Sequence, residues 1–185
     1  MHFSMIAASI AATAGLAAAA PLVEARQGRP PANFYLQSKV KSQSPKDLGS
    51  NKQDLWLSSY HTGAGLGAAT FFPNKSSAAV ASLNATGDIY QTAFKLGDYE
   101  WPMAVQYGPY QTMESVTISV AGDQDNFGFY FNDNGLQWNY TEFTGWAACD
   151  FWYSGSPSLF ATVSTNKNAD LPVSCSEIEL VAVAA

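Results

Sequence analysis

The stretch GWAACDFWYSGSPSLF, residues 145–160, sets tryptophans, a carboxylate and a cysteine side by side. Read as a strand, it sorts Ala147, Cys149, Phe151 and Tyr153 to one side and Trp146, Ala148, Asp150 and Trp152 to the other. If the cysteine side is interior, the opposite face presents two indoles flanking a carboxylate. Such a face suits a sugar: its C–H surface stacks on indole, and its hydroxyls donate to the carboxylate. DLWLSSYHT offers a second face of this kind, with Trp56 and Tyr60 on one side, and Trp101 in DYEWP is a third candidate. The competing reading is plain packing, because aromatic side chains dominate cores on area alone.

Cleaving a glycosidic bond would need two carboxyl groups facing each other across a cleft. Glu100, Glu114, Glu142, Asp98 and Asp150 are available. Glu100 lies in an aromatic context and is the one catalytic candidate, without an evident partner. Glu114 and Glu142 flank loops and read as solvated. A serine triad would have to use His61, and no G-x-S-x-G elbow is present. HTGAGLGAA, residues 61–69, has the glycine spacing of a dinucleotide loop but leads into a β-like run, so a hairpin loop is expected. DQDNFG, residues 123–128, has two aspartates at calcium-loop spacing but lacks the oxygen ligands that should follow. No metal and no cofactor are expected.

The elements that must position these side chains are strands. Two-residue alternation recurs throughout, and no sustained helical period appears beyond the N-terminus. Phe34, Leu36 and Val40 share a face, as do Val116, Ile118 and Val120; Phe127, Phe129 and Phe131; Leu136, Trp138 and Tyr140; and Ile178 and Leu180. Asn134-Gly135 marks a tight hairpin, and Gly97-Asp98 and Ser154-Gly155-Ser156-Pro157 mark further turns. The expectation is one all-β domain over residues 34–185. It would be an antiparallel sandwich or closed barrel of about twelve short strands. A trefoil-like barrel is an option, although no threefold repeat is visible in the residues.

Residues 1–19 read as a secretory signal: a short apolar run followed by small residues, too short to cross a bilayer. Residues 20–33 read as a short pro-segment or flexible N-terminus, with Arg26 a possible processing point. Three sequons, at Asn74, Asn84 and Asn139, fit surface glycans on a secreted chain. The two cysteines, Cys149 and Cys175, are expected to form a disulfide, for which the chain-entropy model gives about 3–4 kcal/mol. The 185 residues carry 9 Lys+Arg against 15 Asp+Glu, a net charge of −6. Such a surface repels nucleic acid and anionic membranes.

LWLSSYHTGAGL, FYFNDNGLQW, GWAACDFWYSGSPSLF and LPVSCSEIELV together resemble an uncharacterised family of small secreted fungal proteins, a domain of unknown function. The resemblance runs over residues 34–183. It implies a secreted single-domain β protein and carries no activity or site residue with it. The expected function is therefore non-enzymatic. The protein would be extracellular or cell-wall associated and would bind carbohydrate through exposed aromatics, Trp146, Asp150 and Trp152 first, then Trp56 and Tyr60. The alternatives are a small polysaccharide-acting hydrolase using Glu100, and an effector-like domain that recognises a host or wall protein.

Overall fold

The computed structural model describes residues 30–42, 47–86, 89–108, 111–120, 127–151, 155–164 and 170–185. The signal and Arg26 expectations, the calcium-like stretch at 123–126, Trp152 and Tyr153 lie outside the described residues.

Twelve strands are described: β1 (Phe34–Ser42), β2 (Trp56–Gly63), β3 (Leu66–Phe72), β4 (Val80–Thr86), β5 (Ile89–Leu96), β6 (Tyr99–Gln106), β7 (Met113–Ile118), β8 (Phe129–Asn132), β9 (Gly135–Trp138), β10 (Phe143–Asp150), β11 (Pro157–Val163) and β12 (Cys175–Ala184). A single 3-10 turn, Lys75–Ser77, follows β3, and the described residues contain no α-helix. Alternation drives this result. Phe34 and Leu36, Val116 and Ile118, Leu136, and Ile178 and Leu180 all bury their side chains in one core, as their spacing predicts. Val120 and Phe127 do not; both lie beyond the ends of strands and are exposed. The 61–69 stretch forms the expected hairpin, with Gly65 at its tip in the left-handed region at φ 72°.

The strand pairing closes on itself and repeats in threes. β1 pairs with β4, β4 with β5, β8 with β9, and β12 with β1. The β8–β9 hairpin is a separate two-stranded sheet among the described residues, and it fills the remaining side of the ring by packing, β8 against β5 and β9 against β12. Three hairpins, β2–β3, β6–β7 and β10–β11, extend from it. Their second strands meet pairwise around one axis, with one shared register. Ala68 of β3 pairs with Thr117 of β7, Ser115 of β7 with Phe160 of β11, and Ser158 of β11 with Thr70 of β3. In each strand the two paired positions are two residues apart. This closed antiparallel barrel with a hairpin triplet is the arrangement of a β-trefoil.

The register makes positions equivalent that share no residue type. Leu57, Met103 and Trp146 stand at one position, and across each hairpin from them are Phe71, Ile118 and Ala161. All six lie in the main core. The largest side chain, Trp146, is opposite the smallest, Ala161, so volume is exchanged across the pair. Gly135 closes another contact. It sits at φ 85°, and a Cβ there would stand 2.2 Å from the Leu180 carbonyl oxygen, so only glycine lets β9 approach β12 this closely.

Candidate functional site

The threefold register overturns the expected role of Trp146. Its layer is the core layer of all three hairpins, and it is 1% exposed. Its Nε1 donates to the Leu136 carbonyl at 2.5 Å, and its ring meets Phe143 at 4.8 Å and Phe129 at 6.4 Å. The assumption that failed was that the cysteine side is the main interior. Cys149 and Cys175 are directly opposite across β10 and β12 and are bonded. With Ala147 they form a separate small cluster under Met113, Phe160 and Leu171. Both faces of β10 are therefore covered, the larger by the core and the smaller around the disulfide.

Asp150 is also no open acceptor. Its Oδ2 accepts from the Ser50 amide at 2.8 Å and from Lys52 Nζ at 3.3 Å, and its Oδ1 accepts from the Ser50 hydroxyl. Lys52, whose side chain is fully buried, also contacts Asp47 Oδ1 at 3.3 Å and donates to the Ser50 carbonyl at 2.8 Å. Asp47 in turn accepts from Ser176 Oγ. Burial alone would raise both carboxyls. For Asp47 the bonds from Ser176, the Gly49 amide and Lys52 outweigh burial and hold its pKa below the ordinary value; for Asp150 those from Ser50 and Lys52 do the same. Ser176 follows Cys175 and Asp150 follows Cys149 in the chain. The clamp thus ties residues 47–52 to the strands that carry the disulfide. A buried lysine in a Ser-, Lys- and Gly-rich loop carries no sequence signal.

Trp56 and Tyr60 are partly exposed on the outer face of β2. Trp56 is the centre of a cross-strand row, because Val181 pairs with Gln37, Gln37 with Trp56, and Trp56 with Phe72. Paired residues on antiparallel strands share a face, and all four are half-buried. Tyr35, two residues from Gln37 and on the same side of β1, meets Trp56 edge to face at 6.0 Å. The Lys75 ammonium lies 4.6 Å from the Tyr35 ring centroid and 5.5 Å from that of Trp56. Gln37 Nε2 donates to the Asp54 carbonyl at 3.3 Å. Tyr35 and Lys75 were missed in the sequence because β1 and the turn at 75–77 lie far from Trp56 along the chain.

A second cluster surrounds a residue that the sequence misplaced. Glu114, expected to be solvated, is fully buried and shares the inward side of β7 with Val116 and Ile118. The equivalent positions of the other two hairpins are Gly67 and Pro157, so the fold does not demand a carboxyl there. Its Oε2 accepts from the Gly108 amide at 2.9 Å, and its Oε1 is buried without a partner. Burial raises its pKa, against the lowering pull of Gly108. Tyr107 and Tyr140 lie alongside, their rings 5.3 Å apart, and Tyr140 stacks on Trp138 at 4.6 Å. The Tyr140 hydroxyl is pushed up to about 12, first by its hydrogen bond with Tyr107, then by desolvation and the charges of Tyr107, Glu142 and Glu114.

Glu100, the catalytic candidate of the sequence, is exposed on β6 and accepts from Asn84 Nδ2 at 3.4 Å. It is not brought near Glu114 by any strand pairing: it pairs with Lys95 on β5. Trp101 belongs to β6 rather than a loop and packs half-buried against the core. The sequon residues Asn74, Asn84 and Asn139 are all exposed. Among the described residues no cluster of histidine, cysteine, aspartate and glutamate could hold a metal ion.

Residues 31–184 match a domain of unknown function, DUF7907, and the chain belongs to that family. No curated protein and no solved structure matches it.

Proposed function

We propose that this DUF7907 protein works outside the cell as a carbohydrate-binding domain, and that it binds through the outer face centred on Trp56. The observation that carries the reading is the Tyr35–Trp56 pair. It offers half-buried aromatic surface on a rigid sheet, with Gln37, Phe72 and Val181 in the same plane. Rings held by a sheet lose little freedom when a sugar stacks on them. The formed disulfide and the three exposed sequons support an oxidising, secretory origin. The wall or extracellular matrix supplies the partner, an insoluble polysaccharide.

Retention of the secreted protein on chitin, glucan, xylan and pectin tests the reading. Trp56→Ala should abolish retention while leaving the melting temperature of the core nearly unchanged. Retention on none of these polymers removes the reading, and recovery of only a protein partner from wall extracts favours the effector alternative.

A second reading, hydrolysis, is favoured by a different observation and moves away from Glu100. A general acid must hold its proton near neutral pH, and burial raises the pKa of Glu114 in that direction. Glu142 lies near enough to act electrostatically on the same tyrosine. Release of reducing sugar that is lost in Glu114→Gln but kept in Glu100→Gln would establish this reading. An inert protein across the same polymers ends it.

A further inference from the structure

The cations around the Trp56 face are not alike. Lys39 and Lys41 lie on the same side of β1 as Tyr35 and Gln37, but each has a carboxylate: Lys39 has Glu179 at 3.9 Å and Lys41 has Glu177 at 3.3 Å. Lys75 has none among the described residues. Its neighbours are the two rings of the platform, over which its ammonium is held. Cation–π contact at an exposed site contributes about 0.5–1 kcal/mol. It positions the charge without neutralising it.

The rest of the molecule makes that charge conspicuous. With a net charge of −6, the surface as a whole repels anions. An unpaired ammonium beside an aromatic pair on such a surface contributes little long-range attraction, but it acts strongly at contact. A sugar ring stacked on Trp56 would place a substituent at its edge within reach of Lys75 Nζ. A neutral hydroxyl there gains one ordinary hydrogen bond. A carboxylate gains a charge-assisted one. An ammonium is repelled.

We infer that the polymer taken by the Tyr35–Trp56 face carries carboxylates, as a uronic-acid polysaccharide does, and that Lys75 is the residue that selects it. The inference rests on the carbohydrate-binding reading and specifies its ligand. The sugar ring stacks on Trp56, and its carboxylate accepts from the Lys75 ammonium.

Affinity electrophoresis of the full secreted protein tests this, with polygalacturonate, a neutral β-glucan and chitosan each cast into the gel. Retardation should be greatest in polygalacturonate and should weaken with added salt, because the ion pair is exposed. Lys75→Gln should weaken binding to polygalacturonate about fivefold, the effect expected of one exposed ion pair, and weaken β-glucan binding less, so that the preference between the two polymers is lost. Lys75→Arg should restore the preference. Equal or stronger binding to neutral glucan, or a preference that survives in Lys75→Gln, overturns the inference while the carbohydrate-binding reading stands. Retardation in no gel removes both.

Discussion

Replacing Glu114 with glutamine should stabilise the protein, and by an amount that depends on pH. Burial raises the pKa of this carboxyl above that of the unfolded chain. Between the two values the folded state keeps a proton that the unfolded state has released, so stability falls as pH rises through that window. Once ionised, Glu114 has one oxygen bonded to the Gly108 amide and the other buried without a partner. Burying such a group costs about 1–3 kcal/mol. Glutamine keeps an acceptor for Gly108 and cannot ionise. Glu114→Gln should therefore gain up to this amount near neutral pH, at about 2–4 °C per kcal/mol for a chain of this size. Below the unfolded carboxylate value both side chains are neutral and the gain should shrink toward nothing. Asp47 and Asp150 act in the opposite sense. Their depressed values stabilise the fold above the unfolded pKa and lose that contribution as pH falls. Both proteins share them, so they cancel in the difference. Urea melts of the two proteins from pH 3 to 8 measure it. A difference that is flat with pH, or a variant less stable at neutral pH, would refute the assignment of Glu114 as a buried, strained acid.

Other substitutions follow from the same packing. Lys52→Met leaves Asp47 and Asp150 facing each other without their shared cation and should lose about 3–5 kcal/mol in urea melts, with the loss shrinking as acid protonates the pair. Trp146→Ala empties the widest place in the core layer and should lose about 3–5 kcal/mol, whereas the same change at exposed Tyr99 should be nearly neutral by thermal melting. Gly135→Ala should lose about 1–3 kcal/mol, since its methyl has no room beside the Leu180 carbonyl and its backbone is left-handed.

Much of the fold was legible because it depends on a period of two. Phe34 and Leu36, Val116 and Ile118, and Ile178 and Leu180 reach the core by alternation alone. The repeat was not legible because it lives in register. Leu57, Met103 and Trp146 fill one position, and Gly67, Glu114 and Pro157 another, with no residue in common. Position alone decides that Trp146 is interior, and a single strand read by itself cannot tell a main core from the small one around a disulfide. Glu114 was misread for a different reason: a carboxylate next to a loop is usually solvated, although its spacing from Val116 and Ile118 already put it on the inward side of β7. Trp56 was found, but Tyr35 and Lys75 were not, since they meet it only across folded strands.

The first strand of the ring pairs with the last, from Phe34 opposite Ala184 to Ser42 opposite Glu177. During translation β1 therefore leaves the ribosome long before its partner exists. The edge of β1 that takes β12 must wait, with unpaired amides, until β12 has emerged. The barrel cannot close from its N-terminal strands alone; closure waits for β12 and spans the long stretch of chain between the two strands. Until then Phe34 and Leu36 are exposed surface for chaperones to cover.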